Sequence, residues 1–119
     1  YTNGAGTIGF ACFAECKKLK SVAIPEGISA IDKSCFANCK KLKQINLPST
    51  LKTIGENGFY GCTGLRTVTV KGRVTKCKIF AFYKVKNCKI ILKTKAAKKS
   101  KKVFAKELKQ EGNKKVKIK

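Results

Sequence analysis

The 119-residue sequence contains no histidine, no methionine and only six acidic residues. Without histidine, a cysteine nucleophile has no ordinary general base. No apolar run approaches the ~18 residues that a membrane-spanning helix needs, and no segment resembles a signal peptide. Because the chain starts at Tyr1 and lacks methionine, we interpret it as a processed product or a piece of a longer protein.

The shortage of acidic residues gives a formal charge of +22, from 28 lysines and arginines against six acidic side chains. Residues 71–119 hold 19 of the basic residues and two of the acidic ones. Such a charge attracts polyanions. Only Arg66 and Arg73 are arginines, and lysine is a point charge without the bidentate fork that reads bases and phosphates.

A 23-residue repeat is the main feature that the sequence does contain. Steps of one repeat align these apolar sets: Ile8, Ile31 and Ile54; Phe13, Phe36, Phe59 and Phe82; Cys16, Cys39 and Cys62; Leu19, Leu42, Leu65 and Cys88; Val22, Ile45, Val68 and Ile91. One such unit cannot bury its own apolar face, whereas stacked units form a continuous core. The sequence therefore predicts a short solenoid with one coil per repeat.

Each repeat contains the pattern L-x-x-V-x-I, whose apolar alternation predicts a half-buried strand. Pro25 and Pro48 lack the N–H of a strand ladder and end it. The following I-x-x-I segment returns the chain, and the A-F-x-x-C-like segment adds roughly one helical or 3₁₀ turn. We expect parallel strands near residues 20–24, 43–47, 66–70 and 89–95.

The fourth repeat departs from the 23-residue register. Strict stepping would bury Lys93, which is costly for an unpaired charge. A slip of one residue buries Ile90 and Leu92 instead, and we favour the slip because their alternation continues through Thr94 to Ala96.

The lysine-rich C-terminal segment predicts a cap. Apolar residues at helical spacing indicate a helix over about residues 98–111, with Gly112 as its C-terminal cap. The final KKVKIK, residues 114–119, alternates as a last strand. We therefore expect one domain with leucine-rich-type repeats over residues 1–95 and a cap over residues 96–119.

The stretch IDKSCFANCKKLKQINLPSTLKTIGENGFYGCTGLRTVTV resembles the BspA-type leucine-rich repeat, I-G-x-x-A-F-x-x-C-x-x-L-x-x-V-x-I-P. Three copies cover residues 8 to about 74 and a degraded fourth runs to about 95. Departures from the pattern are Cys12, Cys35, Gly58, Tyr60 and Val85. The resemblance implies an α/β leucine-rich-repeat solenoid of about 3.5 to 4 coils with parallel strands, capped by a helix and a strand.

The same resemblance implies a function and a location. Family members are mostly surface or secreted proteins of gut and oral bacteria and of some parasitic protists, with roles in adhesion and protein binding. It implies an extracellular or cell-surface location here. The repeat motif describes the core, so no family binding residue maps onto a position of this chain.

The seven cysteines include two C-x-x-x-C pairs, Cys12/Cys16 and Cys35/Cys39. A zinc site commonly adds histidine or more closely spaced cysteines, so we interpret Cys16, Cys39 and Cys62 as stacked core residues and expect no metal or cofactor. Disulfides between neighbouring coils remain open, because equivalent positions lie within bridging distance. We favour reduced thiols.

The carboxylates give no catalytic pair: Glu15, Glu26, Asp32, Glu56, Glu107 and Glu111 occupy non-equivalent or surface-like positions. We therefore expect no enzymatic activity. The chain instead offers two sets of candidate binding residues.

Exposed strand positions form the candidate protein-binding surface: Lys20, Ser21, Ala23, Lys43, Gln44, Asn46, Arg66, Thr67 and Thr69. Stacked basic residues beside them could bind an acidic polymer: Lys17, Lys18, Lys40, Lys41, Lys86 and Lys89. The alternatives for these lysines are a solubilising face, general polyanion attraction, and specific nucleic-acid binding. The last is disfavoured because the repeated phenylalanines belong to the core and leave few aromatics for stacking. We interpret the chain as a binding or adhesion module for a protein or host-matrix ligand, with polyanion binding as the alternative.

Overall fold

The computed structural model describes residues 6–119, which form a stack of parallel coils built on two sheets. One sheet has the order β1-β3-β5-β7 and the other β2-β4-β6-β8-β9, with every neighbouring pair parallel. The strands are β1 Thr7–Ile8, β2 Ser21–Ala23, β3 Ala30–Ile31, β4 Gln44–Leu47, β5 Thr53–Ile54, β6 Thr67–Val70, β7 Lys76–Cys77, β8 Cys88–Leu92 and β9 Val116–Ile118, and the helices are α1 Lys95–Lys98 and α2 Lys101–Gln110. The predicted solenoid of about four coils is confirmed.

The strand register confirms the slip in the fourth coil. Ile45 pairs with Val68 at the full repeat step, but Val68 pairs with Ile90 at a step that is one residue shorter. The coil is shorter because Cys88 occupies the core position of Leu65 and is followed by one residue rather than two before the next buried position. Ile90 is therefore fully buried.

The segment predicted as roughly one helical or 3₁₀ turn has hydrogen bonds of the 3₁₀ type but no continuous helix. It forms consecutive turns with hydrogen bonds such as Ala37 N to Ser34 O, 3.1 Å, and Cys39 N to Phe36 O, 3.3 Å. Two positions recur with positive φ, each once per repeat: Ala11, Ser34, Asn57 and Phe80; and Glu15, Asn38, Gly61 and Lys84. A left-handed residue reverses the local backbone twist, so a helix cannot continue through the segment.

These turns connect each coil to the next. The N–H of Phe36 donates to Gly58 O at 2.9 Å and that of Phe59 donates to Ala81 O at 2.8 Å. Inside the turns, Phe13, Phe36, Phe59 and Phe82 stack with ring centroids 5.3, 5.6 and 5.5 Å apart. Each coil thus buries the aromatic ring of its neighbour and satisfies its backbone.

Buried cysteines follow the same column, as predicted. Cys39 Sγ donates to Phe13 O at 2.9 Å, and Cys62 Sγ donates to Phe36 O at 3.0 Å. Both cysteines have no exposed surface. They act as small core residues that hold neighbouring coils together.

The helix predicted over about residues 98–111 is α2, Lys101–Gln110, and the four-residue helix α1 precedes it. Thr94 caps α1 by accepting from Ala97 N at 3.0 Å, and α2 begins after Ser100. At its end, Gly112 has φ 69°, Asn113 N donates to Leu108 O at 2.8 Å, and Gly112 N donates to Lys109 O at 3.1 Å. These are the two hydrogen bonds of a Schellman motif, so the predicted glycine cap is confirmed.

The interpretation of Glu107 and Glu111 as surface-like, unpaired carboxylates was wrong. They are 2% and 9% exposed and lie one turn apart at the end of α2, beneath the fourth coil. Glu107 Oε2 accepts from Phe80 N at 3.0 Å and Glu111 Oε2 accepts from Phe82 N at 3.4 Å. In earlier coils these N–H groups donate to carbonyls of the next coil, so the two carboxylates replace the backbone of a fifth coil.

Two further side chains complete this cap. Ser100 Oγ accepts from Val74 N at 2.8 Å and donates to Gly72 O at 3.3 Å. Asn113 Nδ2 donates to Phe82 O at 2.9 Å and to Val85 O at 3.2 Å. Polar side chains of the C-terminal segment thus satisfy backbone donors and acceptors of the preceding coils.

Candidate functional site

The candidate protein-binding residues lie on the outer face of the five-stranded sheet. The register aligns Ser21, Gln44, Thr67 and Lys89 in one row, and Ala23, Asn46, Thr69 and Ile91 in the next. Their side chains are exposed or half-buried, while alternate residues of the same strands point into the core. The fold therefore presents two straight rows of small, mostly polar side chains, although their role in binding stays a prediction.

A basic column borders this face. Backbone hydrogen bonds connect Lys43 N to Lys20 O, Arg66 N to Lys43 O and Lys89 N to Arg66 O, at 2.8, 2.8 and 2.9 Å. All four side chains are exposed. The structure thus places Lys20, Lys43 and Arg66 at equivalent positions of successive coils, whereas the register slip moves Lys89 into the row of Ser21, Gln44 and Thr67.

Arg66 differs from the lysines in that column. Its guanidinium donates to the carbonyls of Thr63, Leu65 and Lys86 at 3.1, 3.3 and 3.4 Å. The side chain is held against the loop between the third and fourth coils. It remains positively charged, but these contacts occupy donors that bidentate binding of a ligand would need.

The remaining lysines of the polyanion set form two separate groups. Lys17, Lys40 and Lys41 line one shallow depression of about 520 Å³, and Lys86 lines another of about 380 Å³ with Lys114 and Lys115. Lys18 is exposed beside the first group. The columns Lys17–Lys40 and Lys18–Lys41 are interrupted in the third coil, where the equivalent residues are Thr63 and Gly64. The structure therefore does not join all six lysines.

Three of the buried thiols have raised pKa values, and Cys39, whose pKa is lowered to about 7 by the hydrogen bond with the Cys62 thiol, has no exposed surface. Burial raises the pKa of Cys35 and of Cys88 to about 12, and the neighbouring Cys39 thiol together with burial raises the pKa of Cys62. A buried protonated thiol is a weak nucleophile and a poor metal ligand. All seven cysteines are free thiols, and residues 6–119 contain no group of three or more metal-ligating side chains placed to hold an ion.

An exposed apolar cluster in the fourth coil was not predicted from the sequence. Ile79, Phe80 and Tyr83 are 52%, 38% and 37% exposed. Tyr83 contacts Phe80, with centroids 4.9 Å apart, and stacks on Tyr60 at 5.7 Å. The available signal was positional: the repeat step places Phe80 where the other coils have Ala11, Ser34 and Asn57, and Tyr83 where the first two have Ala14 and Ala37.

A comparison with protein families settles the family. The model of the BspA-type leucine-rich repeat region matches residues 2–111 in six copies. The chain belongs to the BspA-type leucine-rich repeat family. No curated protein and no solved structure gives a significant match to it.

The family match confirms the leucine-rich-repeat fold class and makes the chain a repeat module for protein interaction, of a kind that is generally non-catalytic and typically associated with cell surfaces. Within residues 6–119, no helix has the length and apolar character required to cross a membrane. The match extends beyond residue 95 to residue 111, and the division between repeats and cap at 95/96 stays a prediction.

Proposed function

We propose that this chain is a non-catalytic binding or adhesion module of a cell-surface or secreted protein, and that it docks a protein or host-matrix ligand on the outer face of the five-stranded sheet. The observation that supports this most is the pair of straight rows through Gln44 and Thr67 and through Asn46 and Thr69. These side chains alternate with buried ones, so the backbone beneath them is fixed. A fixed surface loses little conformational entropy on binding.

The composition of the rows suits a polar protein surface. Ser21, Gln44, Asn46, Thr67 and Thr69 offer hydrogen-bond donors and acceptors at a spacing of about 4.8 Å between strands. The rows run over four coils, and their side chains are exposed or half-buried. A partner could therefore contact several coils at once.

The second candidate function is binding of an acidic polymer, such as a cell-wall polymer or an acidic glycan, with specific nucleic-acid recognition less favoured. Its support is the column Lys20, Lys43 and Arg66 beside the same face, with Lys89 in the adjacent row of the fourth coil. The only acidic side chains in residues 71–119, Glu107 and Glu111, are buried in the cap. Nothing acidic on that half of the surface offsets the lysines.

Binding measured over a salt series separates the two functions. Attraction to a polyanion releases counterions and weakens steeply between low and physiological salt, whereas a docked protein interface weakens modestly. Paired variants locate the surface: Asn46→Arg with Thr69→Arg obstructs the rows without removing positive charge, and Lys20→Gln with Lys43→Gln removes charge without obstructing them. Loss of a ligand only in the first pair supports protein docking. Retention of neither ligand class on immobilised protein at low salt contradicts both functions.

A further inference from the structure

The exposed cluster Ile79, Phe80 and Tyr83 lies outside the strand face and has no part in the function proposed above. It is in the turn segment of the fourth coil, whose backbone is held on both sides: Asn57 N donates to Ile79 O at 3.1 Å and Phe80 N donates to Glu107 Oε2 at 3.0 Å. The exposure of these apolar side chains is thus built into a fixed turn.

Phe80 costs stability in two ways at this position. Its φ is 60°, a left-handed conformation that is uncommon for a residue with a bulky side chain. Its ring is 38% exposed to solvent. The equivalent positions hold Ala11, Ser34 and Asn57, so the turn itself does not require an aromatic residue. A strained and exposed aromatic side chain points to a functional role rather than a structural one.

Three lysines flank the cluster along the chain, and half-buried Glu56 occupies the position one repeat before Ile79. Lys78, Lys84 and Lys86 are exposed in the same coil, and Lys84 Nζ lies 5.7 Å from the Tyr60 ring centroid. Lys84 also has a left-handed backbone, φ 68°, where the third coil has Gly61. No acidic side chain is exposed in residues 71–119.

We propose that this turn, with Ile79, Phe80 and Tyr83 flanked by Lys78, Lys84 and Lys86, binds the surface of an anionic lipid bilayer. Apolar side chains enter the interfacial region while lysines remain among acidic headgroups, and the two contributions add. Unpaired lysines without arginine forks suit a diffuse sheet of negative charge better than one defined anion.

The geometry of the rings favours a bilayer over an acidic glycan. Tyr60 and Tyr83 face each other with an interplanar angle of 27°, and Phe80 leans against Tyr83 at 49°. The Tyr83 ring is therefore contacted by both of the other rings. Stacking on a sugar or a nucleobase needs an open ring face, whereas insertion into lipid needs only exposed apolar surface.

The test is co-sedimentation with vesicles of phosphatidylcholine alone and with vesicles that also contain phosphatidylserine, at a fixed low salt concentration. We expect partition into the phosphatidylserine vesicles and little into the others. Phe80→Asn, which installs the residue of the third coil, should lower the partition by about tenfold. Lys84→Gly, which likewise copies the third coil, should lower it about fivefold.

Both substitutions relieve a left-handed backbone, so their melting temperatures should not fall below that of the parent chain. Loss of binding therefore cannot be attributed to unfolding. Phe10 supplies the matched control, because it is 65% exposed but lies in the first coil, and the first two coils carry the exposed acidic residues Glu15 and Asp32. Phe10→Ala should leave the partition unchanged.

A spectroscopic arm locates the contact. The sequence has no tryptophan, so Phe80→Trp introduces a single reporter whose emission should shift to the blue on addition of phosphatidylserine vesicles. Phe10→Trp should show no shift. Equal partition of the parent and Phe80→Asn would overturn the proposal, as would a stronger, Phe80-dependent association with hyaluronate, heparin or a soluble acidic protein than with the vesicles.

Discussion

The first and second coils contain nearly the same stretch, CFAECKKLKSVAIP and CFANCKKLKQINLP, but bury it to different extents. In the second coil the apolar positions have no exposed surface: Cys35, Phe36, Cys39, Leu42 and Ile45. The equivalent residues of the first coil are half-buried: Cys12, Phe13, Cys16, Leu19 and Val22. The difference shows that burial in this fold comes from the neighbouring coils rather than from the local sequence.

The fourth coil is a third case in this comparison. Phe82 has no exposed surface, although only one of its flanking neighbours is a repeat coil. The cap supplies the other side, since Phe104 contacts the Phe82 ring edge-on at 5.9 Å and Glu111 accepts from its N–H. A neighbour built from different elements thus buries a coil as fully as a repeat does.

The largest predicted effect tests whether the contribution of a residue to the free energy of unfolding depends on its position in the stack. Phe36→Ala should lower the free energy of unfolding by about 4 kcal/mol, because it leaves a cavity between two stacked rings, whereas Phe13→Ala should cost about 2 kcal/mol. Urea unfolding of both variants gives the two values. Equal losses would show that the two coils contribute alike despite their different burial.

The next effect tests whether the Glu107 carboxylate replaces a backbone carbonyl of a further coil. Glu107→Ala leaves the part-buried Phe80 N–H without its acceptor and should cost about 2 kcal/mol. Glu107→Gln retains a carbonyl oxygen at the same place and should cost less than half of that. If the alanine and glutamine variants unfold at the same denaturant concentration, the hydrogen bond to Phe80 is not what stabilises the cap.

A smaller effect is expected from pH. Burial, together with the neighbouring Glu107 carboxyl, raises the pKa of Glu111 to about 8 from an ordinary value of 4.5. Between these values the folded chain holds a proton that the unfolded chain has lost, so the contribution of Glu111 to stability declines as pH rises from about 4.5 to 8. Urea unfolding from pH 5 to pH 8 should show this decline in the parent chain and a flatter profile in Glu111→Gln.

The opposite result would show that Glu111 does not titrate between pH 5 and pH 8. If the parent and Glu111→Gln have parallel pH profiles, the carboxyl is ionised throughout this range and the fourth coil is held by a charged acceptor. The fourth coil would then differ from the interior coils in having a charged hydrogen-bond acceptor.

The smallest effect is expected on the outer strand face. Asn46→Ala and Thr69→Ala should each change the free energy of unfolding by less than about 0.5 kcal/mol, because neither side chain is buried in the core. The same variants are useful in binding assays for that reason. A loss above about 1 kcal/mol would mean that the rows stabilise the stack and are not a free surface.

Much of this fold could be predicted because each coil repeats the same chemistry. The repeat step locates the strands, and the cost of burying Lys93 predicts the slip that buries Ile90. The two-residue strands opposite were not predicted, since residues such as Thr53–Ile54 are too short to show an alternating pattern.

The cap was harder to predict because charged side chains take the place of backbone groups. Glu107 and Glu111 follow Phe104 at three and seven residues, which places them on the apolar face of α2, and this spacing was the signal that they are buried. The aromatic cluster was missed for a related reason. Phe80 and Tyr83 occupy positions that carry small residues in the first coils, so the repeat pattern assigns them no role.

The way in which α2 recognises the fourth coil has a consequence for how such a chain can change its length. Its carboxylates accept from the main-chain N–H groups of Phe80 and Phe82, and equivalent N–H groups occur in each of the other coils. The terminal segment therefore does not depend on the side chains of one particular repeat. After an in-frame duplication or deletion of a whole coil, the terminal segment would meet the same backbone N–H groups. The number of coils can therefore vary while the C-terminal cap is retained.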